Sequence, residues 1–228
     1  IFSKKFSDNW PEKEVIKYLE NPLNKALTIL ACDEIDGVVA GASTSTADVL
    51  RSALRIVGID PNYKWISSSF LMIGENPEQI FTYSDCAVIP EPNSEQLAMI
   101  AKASSDMHQL ITNQKPKIAF LSFSTNDSAS HYRVDRVKDA VKIFKKKYPN
   151  ILHEGEIQFD AAISSDIAKR KNPDTTLNGG ANTFIFPNID AGNISYKITR
   201  QLAGFSAWGP LLQGLSRPVH DLSRGCSV

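Results

Sequence analysis

The residues best suited to binding an anion lie in four polar loops, and the first of these loops is residues 41–48. It places small and hydroxyl side chains after an apolar run and at the start of a helical pattern. Backbone N–H groups, hydroxyls and the helix dipole together make an anion site at such a point. Arg51 follows within a turn and a half and is suited to a bidentate phosphate contact. A Ser/Thr N-cap beside a surface arginine explains the same residues, and the spacing alone modestly favours that simpler explanation.

Two further loops join an apolar run to a helix. Residues 122–129 are rich in serine and threonine, and a solvated loop explains them equally well. In residues 188–197, Asp190 is an N-cap candidate, and Gly192 removes side-chain bulk where a ligand would approach. Helix capping and close packing explain the second loop without any ligand.

The fourth loop, residues 221–227, combines Arg224 and Gly225 with Ser223 and Ser227. An arginine flanked by small hydroxyl residues can hold an oxyanion. Cys226 lies in the same loop, although a cysteine is more often a small buried hydrophobe.

Composition and charge exclude several kinds of function. Lys+Arg and Asp+Glu both number 25 in the 228 residues, so the chain lacks the basic surplus of a nucleic-acid or anionic-membrane binder. No apolar run approaches the roughly 18–20 residues that span a bilayer. The N-terminal residues 1–10 show no signal-peptide pattern.

The remaining reactive side chains form no recognisable centre. The sequence has no Walker loop and no GxGxxG motif, and its histidines show neither metal-ligand nor triad spacing: His108, His131, His153 and His220. The three cysteines are odd in number and far apart, which favours a reducing cytoplasm: Cys32, Cys86 and Cys226. The sequence therefore predicts no metal site.

Apolar periodicity predicts helices and strands that alternate along the chain. Helices are expected at residues 11–20, 46–58, 94–112, 134–148, 160–171 and 191–202. Strands are expected at residues 26–32, 37–41, 65–73, 86–89, 117–122 and 183–186, with a last apolar run at 207–212; the first two are expected as a hairpin or as neighbours. This alternation indicates an α/β protein with a parallel or mixed sheet and helices on both faces, with ligands at the carboxyl ends of the strands. Residues 60–63 are the hinge candidate.

Taken in order, short motifs along nearly the whole chain resemble the phosphotransacetylases of the phosphate acetyl/butyryltransferase family. The motifs that carry the resemblance are residues 36–42, 46–48, 51, 67–72, 85–88, 122–125, 155–162, 181–182, 185–187, 191–194, 196–197, 209–210, 213–214, 218 and 221–227. The resemblance implies two three-layer αβα domains with a cleft between them, similar to the isocitrate/isopropylmalate dehydrogenase-like fold. It places residues 1–62 with 213–228 in the first domain and 63–212 in the second. A cytoplasmic homodimer is implied, with no nucleic-acid or membrane partner.

The resemblance also implies a reaction, acetyl-CoA + phosphate = CoA + acetyl phosphate, without a metal or a tightly bound cofactor. Arg224 and Ser223 would bind the phosphoryl group. The other residues that it assigns to phosphate or CoA binding are Arg51, Ser45, Thr46, Ser124, Thr125, Gly192, Asn193, Tyr196 and Cys226. In such a reaction, arginine and helix N-terminal amides stabilise the charge on the leaving phosphate.

The resemblance also bears on the ends of the chain. The family's general-base aspartate is expected beyond Val228, and about a hundred family residues precede the point that matches Ile1. We therefore expect the sequence to be a truncated chain that turns over poorly by itself.

Two other functions fit the same motifs. A phosphate butyryltransferase shares the fold and the chemistry, and an acyl-CoA-sensing domain of a malic enzyme shares the fold alone. The motif at residues 223–227 favours a catalytic protein over the sensing domain. Arg51 and Arg224 also argue against a degenerate, purely structural relative.

Overall fold

A computed structural model describes residues 10–76 and 78–222, which divide into two compact units. The first unit contains residues 10–66 and 210–222 of the described chain, and the second contains residues 67–209. The junctions expected from the sequence, 62/63 and 212/213, lie within a few residues of these boundaries. In the described part of the chain, no helix is long and apolar enough to cross a membrane.

The first unit packs three helices around a small parallel sheet. Its helices are α1 (Glu12–Leu19), α2 (Pro22–Ala31) and α3 (Thr46–Ile56), and its strands are β1 (Val38–Ala40) and β8 (Val219–Asp221). The two strands pair in parallel, with Val38 opposite Val219. Buried side chains of all these elements except α1 form one core, to which α1 adds Tyr18 from its edge.

The expected strand at residues 26–32 is wrong, because this segment belongs to helix α2. Asn21 caps the helix by accepting hydrogen bonds from Leu23 N and Asn24 N, and Pro22 occupies the first turn. Leu23, Leu27 and Leu30 then recur at helical spacing and face the core. The capping residues before the apolar run decide between helix and strand here.

The second unit is built on a mixed sheet with helices on both faces. Its strands are β2 (Ser67–Ile73), β3 (Ile80–Ser84), β4 (Lys117–Leu121), β5 (Leu152–Ile157) and β6 (Thr183–Ile185), and β7 (Ser206–Gln213) begins in this unit. Its helices are α4 (Ser94–Thr112), α5 (Tyr132–Lys147), α6 (Phe159–Ile163), α7 (Ser165–Lys171) and α8 (Ile189–Leu202). The strand order is β5-β4-β6-β3-β2-β7. Strands β5, β4, β6 and β3 run parallel to one another, whereas β2 is antiparallel to β3.

Alternating side chains of the sheet form two cores. Ile118 and Phe120 of β4 face α4 and α5, and they pack with Phe144. Ala119 and Leu121 face the opposite side, where α6 and α8 pack. This arrangement confirms the predicted layers of helix, sheet and helix for this unit.

Three sequence-based element assignments are wrong in this unit. Residues 86–89 form a loop instead of a strand, and the strand next to β2 is β3, seven residues after β2 ends. The polar strand β5 was not anticipated, because its glutamates and histidine hide the alternation. The single helix expected at residues 160–171 is two short helices that meet at Ser164, whose backbone is extended.

Candidate active site

Arg51 and Ser45 lie at the amino end of α3, where both contact Asp48. Ser45 caps the helix: its hydroxyl accepts from Asp48 N at 3.2 Å and donates to Asp48 Oδ2 at 2.6 Å. Arg51 Nη1 donates to Asp48 Oδ1 at 2.6 Å. The Ser45 hydroxyl and then the Arg51 guanidinium lower the pKa of Asp48. The amino end of α3 therefore carries an accessible ion pair, with its arginine side chain 73% exposed.

Thr46 connects the same helix end to β8. Its hydroxyl donates to Asp221 Oδ2 at 2.5 Å, and Asp221 is only 2% exposed. Burial raises the pKa of Asp221, and the hydrogen bond from Thr46 opposes that rise. Gly41 passes so close that a Cβ there would overlap Asp221 Oδ1. Asp221 thus holds together the ends of β1 and β8 and the start of α3.

Three of the predicted site residues, Ser223, Arg224 and Cys226, lie outside the described residues. The sequence places them directly after Asp221.

In the second unit, Ser124 and Thr125 follow β4 and are both buried. The Ser124 hydroxyl donates to Glu156 Oε1 at 2.7 Å, and the Thr125 hydroxyl accepts from Gln158 N at 2.8 Å. These bonds tie the loop after β4 to the end of β5. Both hydroxyls are therefore used to shape the loop, and their contact with a ligand stays a prediction.

A polar cavity of about 440 Å³ opens beside this loop, between α5 and β5. Lys138 and Lys142 line it together with Asp127 and Glu156. Lys138 is paired with Asp127, and Lys142 is paired with Asp139 on its own helix. With Glu154, the wall carries three carboxylates and two lysines, so it has no net attraction for an anion.

Gly192, Asn193 and Tyr196 lie in the first two turns of α8, and the structure brings them together with the loop after β3. A Cβ on Gly192 would overlap the carbonyl oxygen of Asp85, so close packing already requires this glycine. Asn193 Nδ2 donates to Cys86 O at 3.0 Å. The Tyr196 ring stacks on Phe70 with centroids 4.0 Å apart. Burial raises the pKa of Tyr196.

Sequence reasoning included the carboxylates that organise these loops in its motifs but gave them no role. Asp85, Glu156 and Asp221 lie at or next to the end of a strand, are buried and accept hydrogen bonds from other segments. Ser84, Gly155 and His220 precede these three carboxylates, so no apolar run in the sequence marks them. Within residues 10–76 and 78–222, no cluster of His, Cys, Asp and Glu could hold a metal ion.

Comparison with known proteins identifies the class to which this fold and these loops belong. The family model for phosphate acetyl/butaryl transferase matches residues 2–228, and the chain belongs to that family. It is 42% identical over 214 residues to the phosphate acetyltransferase of Acetivibrio thermocellus, with 92% of this chain and 64% of the relative covered. The chain thus spans less than two thirds of the length of that relative.

Solved structures agree with this assignment. A phosphotransacetylase from Streptococcus pyogenes superposes with a TM-score of 0.93 at 39% identity, covering 99% of this chain and 68% of that one. The 4-hydroxythreonine-4-phosphate dehydrogenase from Klebsiella pneumoniae superposes with a TM-score of 0.53 at 10% identity, covering 89% of this chain and 61% of that one. The second likeness concerns the fold alone, and it agrees with the expected dehydrogenase-like architecture.

Proposed function

We propose that the protein transfers an acetyl group reversibly between coenzyme A and phosphate. The observation that carries this proposal is the 42% identity to a phosphate acetyltransferase over 214 residues. The family model, which spans residues 2–228, supports it as well. Coenzyme A and acetyl phosphate are then substrates, and no tightly bound cofactor or metal takes part.

The proposed step is direct attack in a ternary complex. The CoA thiolate attacks the carbonyl carbon of acetyl phosphate, the C–S bond forms, and the C–O bond to the phosphoryl group breaks. Phosphate leaves as an anion with the bonding electron pair, and a general base has taken the thiol proton. Arg224 and Ser223 hold the phosphoryl group, so the guanidinium of Arg224 stabilises the negative charge that develops on the leaving oxygen.

Arg51 is the described side chain best placed to bind a phosphate of either substrate. It is exposed, and among the described residues its ion pair is with Asp48. A dianionic phosphate is a stronger bidentate partner than one carboxylate oxygen, so it would draw the guanidinium from Asp48. In the second unit, Asn193 and Tyr196 are proposed to contact a substrate.

The assay of thioester formation tests this function. The protein as its gene encodes it is mixed with CoA and either acetyl phosphate or butyryl phosphate, and absorbance of the thioester is followed. We expect faster turnover of acetyl phosphate and a large loss of turnover in Arg224→Ala. A butyryl preference would change the acyl group assigned, and CoA binding without turnover of either substrate would indicate a sensing domain.

We further propose a cytoplasmic homodimer. The odd number and wide spacing of the three cysteines support a reducing compartment. Ile194, Ile198 and Leu202 form an exposed apolar stripe on α8 at four-residue spacing, which supports a partner on that face.

A further inference from the structure

Asp85 is a buried carboxylate that gathers hydrogen bonds from two segments of the second unit. Its Oδ1 accepts from Ser68 N at 3.2 Å, Ser68 Oγ at 2.5 Å, Ala87 N at 3.1 Å and Val88 N at 3.2 Å. Its Oδ2 accepts from Ile89 N at 2.9 Å. Asp85 is only 2% exposed, and its five hydrogen bonds offset the free-energy cost of burying the carboxylate. The same hydrogen bonds fix the loop in one conformation.

The loop that Asp85 fixes, residues 85–90, is the surface on which α8 begins. Pro90 O accepts from Ile189 N at 3.0 Å, and Cys86 O accepts from Asn193 Nδ2 at 3.0 Å. The carbonyl of Asp85 lies against Gly192, where no side chain would fit. Three points of the loop, at residues 85, 86 and 90, thus set the position at which α8 begins.

We propose that Asp85 is a positioning residue of the acyl-transfer site, acting through the 85–90 loop to place Asn193 and Tyr196. The inference rests on the proposed function in one respect, namely that these two side chains contact a substrate. Asp85 itself does not touch the reacting atoms, because its oxygens are occupied by the loop and by Ser68.

The isosteric change Asp85→Asn tests the first half of the proposal. Asparagine can keep the four hydrogen bonds to Oδ1, but its NH₂ group then faces the N–H of Ile89, and two donors oppose each other. We expect the amides of residues 189–193 to exchange hydrogen about tenfold faster than in the wild-type chain. Unchanged exchange at these amides would overturn the proposal.

Glu154→Gln is the matched control. Glu154 also organises a loop, accepting from Asn172 Nδ2, Thr175 Oγ1 and the amides of Thr176 and Leu177. The same chemical change there should leave exchange at residues 189–193 as in the wild type. If Asp85→Asn does not fold, Ser68→Ala replaces it: it removes one donor to the carboxylate and the acceptor of Cys86 N, so it should act in the same direction.

A double-mutant cycle tests the second half and separates positioning from general stability. Asp85→Asn and Asn193→Ala should each raise the KM for CoA several-fold, and the double variant should be no worse than Asn193→Ala alone, within about twofold. Independent effects that multiply would overturn the role through Asn193. These kinetics use the protein as its gene encodes it. If that wild-type protein shows no turnover, the proposed function fails, whereas hydrogen exchange still decides whether Asp85 positions α8.

Discussion

Arg51, at the start of α3, has two alternative partners: the carboxylate of Asp48 and the phosphate that we propose it binds. The pair is exposed on both sides, so it contributes little to stability, and the arginine is available for exchange between partners. Arg55 lies one turn further along the same helix with a different role. Its guanidinium lies 4.5 Å above the ring of Trp10.

Arg51→Ala should therefore weaken CoA binding about tenfold, because one charge-assisted bidentate contact is lost. The measurement is a calorimetric titration of the 228-residue chain with CoA at low salt. Arg55→Ala is the control on the same helix and should bind CoA like the wild type. Equal affinities for the Arg51 variant and the wild type would remove Arg51 from the site.

His108 makes the free energy of unfolding depend on pH. It is fully buried on α4, its Nδ1 lies 2.9 Å from the Thr82 hydroxyl, and its Nε2 has no hydrogen-bond partner among residues 10–76 and 78–222. Burial lowers the pKa of His108 from 6.5 to about 4. The folded protein therefore holds the ring neutral in a range where the unfolded chain protonates it.

Stability should consequently fall as the pH drops from about 6.5 towards 4, since the unfolded chain binds the extra proton. His108→Gln removes this titration, and we expect its loss of unfolding free energy over that range to be smaller by about 2 kcal/mol. Urea denaturation at pH 7 and pH 4.5 measures both. Parallel losses in the two proteins would show that another group is responsible.

At the scale of elements, the contact between α8 and the 85–90 loop requires glycine at position 192, although alanine is the better helix former. Alanine is favoured over glycine in a helix by about 1 kcal/mol. At Gly192, however, a Cβ would overlap the carbonyl of Asp85 and lie 3.1 Å from Cys86 Sγ. The steric cost of such overpacking, about 1–3 kcal/mol, exceeds the propensity gain.

Gly192→Ala should therefore destabilise the protein by about 1–2 kcal/mol and loosen the start of α8. Gly204→Ala is the comparison, because Gly204 has φ +73° with nothing within 4 Å of its Cβ position, so only backbone strain applies. Thermal unfolding measures both variants, and hydrogen exchange at residues 189–193 separates them. A Gly192→Ala protein more stable than the wild type would contradict the packing argument.

The sequence predicted long, regular elements well and short or polar ones poorly. The helix at residues 94–112 was predicted with its observed bounds from its long amphipathic run, and the structure adds a capping box of Asn93 and Gln96 at its start. Residues 86–89 are apolar enough for a strand, but Asp85 takes up the N–H groups of residues 87–89. That competition depends on a side chain whose partners are distant in sequence, and local patterning does not contain it.

The same limit applies to the candidate site. Sequence patterns located the loops after β4 and β6 and the start of α3, because hydroxyl residues at strand-to-helix junctions are a local signal. Neighbouring residues in the sequence do not show which hydroxyls are already hydrogen-bonded. Ser124 is paired with Glu156, 32 positions away, and Thr46 with Asp221, 175 positions away. The structure supplied these partners.

At the scale of the whole molecule, the apolar stripe on α8 predicts association of two copies. Leu202 is 84% exposed on this stripe, and Leu110 on α4 is 81% exposed without such neighbours on its helix face. We expect Leu202→Glu to convert a dimer to a monomer in light scattering after size exclusion, and Leu110→Glu to leave the dimer intact. A monomeric wild-type protein at micromolar concentration would contradict the homodimer.

Direct transfer between CoA and phosphate is the central claim, and isotope exchange tests it most directly. Labelled inorganic phosphate is incubated with unlabelled acetyl phosphate and the protein as its gene encodes it, with and without CoA. Attack by CoA within a ternary complex predicts label in acetyl phosphate only when CoA is present. Label that enters acetyl phosphate without CoA would contradict the account, because phosphate would then exchange through an acyl-enzyme.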